Sequence, residues 1–267
     1  MVKKSFSVFY LILVLMFLYL PILFIIVFSF SGNNNFVFNG FTFDSYIEIF
    51  TSEKSAGLMS ALINTLIIAS AASVISTILG AFAAGGVFYM GKRSQKIVMG
   101  VNQLPVINSE VVMAVALLIL FNTLGFPTDK TGGFIRLIIG HISFCTPYVV
   151  LSVMPKLNQM DPNIYEAALD LGATPMQAMR KVILPTVMPG VVSGFVMAFT
   201  LSMDDFIITQ MNKGTSGVET LSTYIYGDAR VGGLEPFWFA VFSIIFVVVL
   251  TIVLAVNLKN SKERKAA

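Results

Sequence analysis

Apolar residues come in long runs, and polar residues cluster in the short gaps between them. A helix needs about 20 predominantly apolar residues to cross a bilayer. Six segments reach that length: about 6–30, 58–90, 97–122, 134–155, 185–211 and 236–258. The second is longer than a span requires, so it is expected to tilt or protrude. The third is interrupted by Asn102, Gln103, Pro105, Asn108 and Glu110. The pattern predicts an all-α, polytopic membrane protein: one membrane domain over 1–267, with no separate soluble domain.

The gaps differ in character. Residues 31–57 hold Asn33, Asn34, Asn35 and Asn39, then alternate Phe36, Phe38, Phe41 and Phe43, which suggests an extended stretch. Residues 42–50 read as a short amphipathic helix at the membrane surface, with aromatic anchors. Residues 212–235 carry five glycines and predict irregular structure. Within the second span, Ala69, Ser73, Thr77, Gly80, Ala81, Ala84 and Gly85 make small-residue faces that allow close helix packing.

The gap at 156–184 looks soluble and has the most local information. Asp161 is a good N-cap and Pro162 suits the first helical position. Ile164, Ala167, Ala168 and Leu171 recur on one helical face. Gly172 suits the left-handed turn that ends a helix. Thr174-Pro175 repeats the start signal, and Met176, Met179 and Ile183 line a second short helix. The coupling helices of this connector are placed at 162–183, and Leu184-Pro185 opens the next apolar span.

Composition confirms lipid as the main solvent. Of 267 residues, 56% are hydrophobic and 12% charged, and mean hydropathy is +0.85. That charge fraction is about half of a soluble domain's. Cys145 is the one cysteine, so an internal disulfide is excluded, and it reads as a packing residue. His141 is the one histidine, which rules out a multi-histidine metal site. It reads as a hydrogen-bonded structural residue.

Charge distribution gives orientation. With six spans, Lys3, Lys4, Lys92, Arg93, Lys96, Lys156, Arg180, Lys181, Lys259, Lys262, Arg264 and Lys265 share one side, and five basic residues take the other. The positive-inside rule then puts both termini and the 156–184 connector in the cytoplasm. The first span is too long for a signal-peptide core and is expected to stay as an anchor. The net charge of +3 follows topology and gives no sign of nucleic-acid binding.

The connector resembles the cytoplasmic coupling loop of ABC-importer permeases, whose pattern is EAA-x3-G-x9-I-x-L-P. Here Glu166-Ala167-Ala168 is followed after three residues by Gly172, and after nine more by Val182 and Leu184-Pro185. Val182 replaces the favoured Ile. The resemblance implies the type I importer-permease fold (MetI-like). It also implies ATPase coupling through Glu166, Ala167, Ala168, Gly172, Leu184 and Pro185. The implied partners are a second homologous permease, a pair of ATPase subunits and an external solute-binding protein. No G-x-x-x-x-G-K-[ST] phosphate cradle occurs, so the chain is not expected to be an enzyme. No cofactor is expected in the chain itself. ATP and Mg would be bound by the partner ATPase.

Three carboxylates fall inside the spans: Glu110, Asp204 and Asp205. Buried ionisable groups cost about 2.5–3.5 kcal/mol each on insertion scales and usually face a cavity or partner. On a straight helix Glu110 lies ~20 Å from Ile97, and Asp204 ~28 Å from Pro185. Adjacent helical residues point about 100° apart, so Asp204 and Asp205 face different ways. No basic residue lies in the same spans. Protonation, a partner chain or a cationic ligand must offset the charges. Phe199, Phe206, Phe121 and Tyr148 nearby suit an ammonium ligand through cation–π contact. The candidate substrate pathway is therefore Glu110, Asp204, Asp205, Phe199 and Tyr148. Alternatively, Glu110 and Asp205 cap or hydrogen-bond a broken helix.

The stretch 199–206, the stretch Gly140-His141-Ile142-Ser143-Phe144-Cys145-Thr146-Pro147-Tyr148, and the region 105–113 resemble helices of spermidine/putrescine importer permeases. That resemblance implies polyamines as substrates and a polyamine-binding protein outside. Rival readings are an importer of another small solute and a self-contained secondary transporter, although no internal repeat supports the latter. An intramembrane aspartyl protease is excluded, because its two Asp must lie on facing helices.

Overall fold

The computed structural model describes residues 2–32, 40–161 and 163–266, with side chains over 8–32, 40–161, 163–251 and at 254. The expectations for Asn33 to Asn35, Phe36, Phe38, Asn39 and Pro162 lie outside the described residues. Every regular element among the described residues is helical. The chain divides into two compact units, Met1–Met59 with Ile225–Ala267, and Ser60–Tyr224.

In the first unit, α1 (Val2–Phe28) and α2 (Asp44–Thr51) both pack on α12 (Pro236–Ala266). No residue of 8–28 is buried. An apolar helix with only a narrow, half-covered face towards α12 suits lipid contact over the rest of its surface. The surface helix expected at 42–50 is α2, one or two residues late. Tyr46 ties it down: its hydroxyl lies 2.8 Å from that of Ser29, and its ring lies 5.2 Å from Phe30. Ile47 and Phe50 stay exposed. Lys54 bonds Asp228 at 2.8 Å and Glu235 at 2.7 Å, and the Trp238 indole donates to Asp228.

The second unit is built around α6 (Lys130–Asn158), which is capped by Asp129 accepting from the Gly132 N–H. One long face of α6 is buried, from Gly132 to Leu157. Against it lie α3 (Lys54–Phe88), α4 (Lys92–Ile107) and α9 (Leu184–Asp204), the last making the most extensive contact. Glycine makes this closeness possible. A Cβ on Gly80 of α3 would sit 2.6 Å from the Val149 Cβ. On α9, a Cβ on Gly190 would meet the Ser152 carbonyl at 3.0 Å, and one on Gly194 the Val149 Cγ1 at 3.0 Å. Of the expected small-residue faces of α3, Ala69, Ser73, Gly80 and Ala84 are buried, joined by Ala72 and Ser76, while Thr77, Ala81 and Gly85 are only partly covered. The Gly190-x-x-x-Gly194 face of α9 does the same work and was not anticipated.

Three expectations are corrected. The segment 97–122 is two helices, α4 and α5 (Glu110–Thr123), bent by 101°. Pro105 cannot donate to the fourth residue back, and Asn108 and Ser109 are both extended, so the chain turns there. The straight-helix distance from Ile97 to Glu110 therefore does not hold. The segment 185–211 also breaks: α9 stops at Asp204, Asp205 is extended, and α10 (Ile207–Asn212) follows. Finally, the glycine-rich 212–235 region contains a helix, α11 (Leu221–Gly232). Its start is capped by Thr223, whose hydroxyl accepts from the Thr220 N–H at 2.9 Å. Gly214, Gly217 and Gly233 take positive φ outside or beyond it, and Gly227 sits inside it. Among the described residues, four helices are long and apolar enough to cross a membrane; the bent α4–α5 pair and the apolar stretch Pro236–Thr251 are further candidates.

Two substitutions on one helix test the glycine seam. Gly80→Ala must push α3 from α6 and should cost about 1–3 kcal/mol. Gly85→Ala meets nothing within 4 Å, and should be neutral or stabilise by about 0.5–1 kcal/mol. Thermal unfolding of the detergent-purified protein measures both.

Candidate coupling turn and membrane carboxylates

The connector forms a rigid hairpin of short elements. Asp161 accepts from the Asn163 N–H at 2.9 Å, closing an Asx turn that leads into α7 (Ile164–Asp170). The helix proper therefore starts later than an N-cap at Asp161 implies. At its end the Gly172 N–H donates to Leu169 and the Ala173 N–H to Ala168, at 2.8 and 3.1 Å. Those two bonds make a Schellman motif, which needs a left-handed residue. Gly172 supplies it, with φ +85°.

Thr174 then caps α8 (Pro175–Ala178): its hydroxyl accepts from Gln177 N–H while the Gln177 side chain accepts from Thr174 N–H, a complete capping box. A π-helical turn, Met179–Ile183, carries α8 straight into α9. Leu184 donates to Met179, five residues back, and Pro185 has no N–H to give. The widened turn lets the proline enter without a broken helix.

This hairpin has two faces. Ile164 and Tyr165 pack into the core with Met160, Leu157 and Ile183. The Tyr165 ring meets Tyr89 edge-on at 6.3 Å. Ala168 is half-buried, and Glu166, Ala167, Gly172, Leu184 and Pro185 are exposed. Of the four residues expected on one helical face, Ile164 and Ala168 are half-buried, whereas Ala167 is exposed and Leu171 is 89% exposed. The exposed face thus mixes apolar and acidic groups around a tight glycine turn.

The membrane carboxylates separate into two kinds. Glu110 opens α5 just after the N-cap Ser109, where a carboxylate suits the helix dipole. It is exposed and makes no hydrogen bond or ion pair among the described residues. Asp204 ends α9 and is likewise exposed without such a partner. Phe199 is half-buried and stacks on Phe195; Tyr148 is half-buried against Phe144.

Asp205 is buried. One carboxylate oxygen accepts from the Ile208 N–H at 3.2 Å. The other accepts from the Thr209 N–H at 2.9 Å and the Thr209 hydroxyl at 2.8 Å, and lies 3.4 Å from His141 Nε2. Asp205 therefore caps α10. His141 Nδ1 lies 2.6 Å from the Ser202 hydroxyl, and Nε2 lies 3.1 Å from that of Thr209. Sequence reasoning took His141 as a lone structural residue and missed this set. Its signal was a polar trio, Ser202, Asp205 and Thr209, inside an apolar span.

Comparison with known proteins agrees with this architecture. Residues 76–264 match the family described as binding-protein-dependent transport system inner membrane component. The spermidine/putrescine transport system permease protein PotC of Escherichia coli K12 is 35% identical over 243 residues, covering 91% of this chain and 89% of that protein. PotC of Haemophilus influenzae is 32% identical over 247 residues, covering 92% and 93%. The putrescine transport system permease protein PotI of Escherichia coli K12 is 32% identical over 237 residues, covering 86% and 82%. Among solved structures, a bacterial ABC transporter involved in import of the acidic polysaccharide alginate superposes with a TM-score of 0.71 at 18% identity, covering 98% and 97%. The same fold, the extended helical packing on α6 and the capped connector before α9 go together: the chain belongs to the binding-protein-dependent transport system inner membrane components, the multi-pass membrane permeases of ABC importers.

Proposed function

We propose that this permease admits polyamines, spermidine or putrescine, through a path lined by Glu110, Asp204, Tyr148 and Phe199. The observation that carries the reading is similarity along nine-tenths of the chain to permeases named for those substrates. The chemistry supports it. Two exposed carboxylates without protein partners need a cation, and a flexible polyammonium chain supplies several. Tyr148 and Phe199 offer ring faces for the same charges.

The chain carries no phosphate cradle of its own, so the driving force comes from partner ATPase subunits that bind ATP and Mg. The exposed turn around Glu166, Ala167, Ala168 and Gly172, with Leu184 and Pro185 at the base of α9, is their docking point. Leu171 supplies an apolar anchor for a groove on that partner. A second homologous permease completes the path, and an external polyamine-binding protein delivers the substrate. Both termini lie in the cytoplasm, as the basic residues imply.

Two measurements test the reading in the reconstituted complex. Glu110→Gln and Asp204→Asn each remove one charge-assisted contact worth about 1.5–3 kcal/mol, so polyamine uptake should fall about tenfold or more. Basal ATP hydrolysis should change much less. Unchanged uptake in both variants overturns the pathway assignment. At the turn, Gly172→Val meets no clash but must hold positive φ, a strain of about 1–2 kcal/mol or more. It should abolish ATP-coupled uptake while membrane insertion persists. Gly172→Asn, which tolerates the left-handed region, should keep more activity than Gly172→Val.

A further inference from the structure

We infer that His141 and Asp205 are positioning residues, a buried clamp across the broken helix that fixes Asp204 relative to Glu110. It rests on the reading of Asp204 and Glu110 as pathway charges, and the test separates the two.

The clamp spans the break from both sides. His141 comes from α6, the buried helix of its unit. One ring nitrogen meets Ser202 in the last turn of α9; the other meets Thr209 in α10. The Thr209 hydroxyl donates its proton to Asp205. Its oxygen must then accept from His141, which places a proton on Nε2. The imidazole thus has one orientation compatible with both sides of the break. Asp205 satisfies the two amides at the head of α10, and its own carbonyl accepts from the Ser222 hydroxyl at 2.7 Å. In lipid, amides freed by a break need such partners.

The consequence reaches the pathway through α10. That helix packs on α5. Asn212 donates to the Ala114 carbonyl at 3.1 Å, and a Cβ on Gly140 would lie 3.2 Å from Ile208. Asp204 ends α9 and Glu110 begins α5. The clamp holds α9 to α10, and α10 rests on α5. Loosening it releases the spacing of the two exposed carboxylates without touching either.

The clamp also explains why two adjacent aspartates differ. Asp205 has a side chain 1% exposed and acts on the protein; Asp204 acts on the cargo.

Cys145 is a built-in reporter. It is one turn beyond His141 on α6, fully buried, with its sulfur 3.4 Å from the Ala198 carbonyl of α9. The test uses the complete transporter, with uptake measured against polyamine concentration and N-ethylmaleimide labelling read at the Cys145 peptide by mass spectrometry. His141→Ala and Asp205→Ala should each lower uptake about tenfold or more, and the double variant should be no worse than either single, as expected of one network. Cys145 should become labelled in all three. Asp205→Asn keeps the acceptor for Thr209 but loses the one for the Ile208 N–H, so it should recover part of the uptake that Asp205→Ala loses, with Cys145 labelled less than in Asp205→Ala. His141→Gln serves if His141→Ala fails to assemble, and it should show the same direction of change. Equal loss in Asp205→Asn and Asp205→Ala with Cys145 shielded in both overturns the clamp and makes Asp205 a pathway charge. Wild-type uptake in the His141 variants also overturns it. If the clamp variants behave as stated while Asp204→Asn transports normally, the clamp stands and the pathway reading fails.

Discussion

Close approach of backbone to backbone along α6 is the constraint on which the second unit depends. Lipid tails are as apolar as leucine, so burying leucine between helices gains little there. Packing contact must supply the association instead. Gly80, Gly190 and Gly194 remove the side chains that would hold α3 and α9 away from Val149 and Ser152. The residues they meet belong to two adjacent turns of one helix. α6 therefore serves as a common wall, and its Pro147 lies within that same buried face.

The breaks follow from the same solvent. A helix that stops inside lipid leaves amides and carbonyls without partners. Here each stop is answered locally. Ser109 caps α5 after the 101° bend. Asp205 caps α10 after the stop at Asp204. The π turn before Pro185 keeps the chain helical where a proline would otherwise interrupt it. Ser109 and Asp205 each put a polar side chain at a break, so the irregular backbone and the candidate chemistry occupy the same places.

Much of this was legible in the sequence. Apolar length gave the helical class, and the connector's glycine and threonine-proline signals gave both short helices, because capping depends on neighbours in sequence. The breaks were harder. Pro105 and Asn108 showed that the third segment was irregular, but the angle depends on where Ser109 finds its partner. In the run Met203-Asp204-Asp205-Phe206, a cap at Asp205 was one of two open readings; its partner across the break, His141, lies over sixty residues away in the sequence. Leu171 was misplaced because helical spacing assumes the helix continues, whereas the Schellman turn begins there. The start of α11 was hidden by flanking glycines whose positive φ belongs to the turns around it.

From Pro175 to Asp204 the chain runs as one 30-residue helical rod through its π turn. At about 1.5 Å per residue it is roughly 45 Å long. One end carries the capped turn at Gly172; the other carries a carboxylate. Such a rod is a mechanical arm: a tilt of about 5° at its base would displace its tip by roughly 4 Å, about the reach of an ion pair. A small rotation at the Gly172 end of the rod would thereby become a change of contact at its Asp204 end.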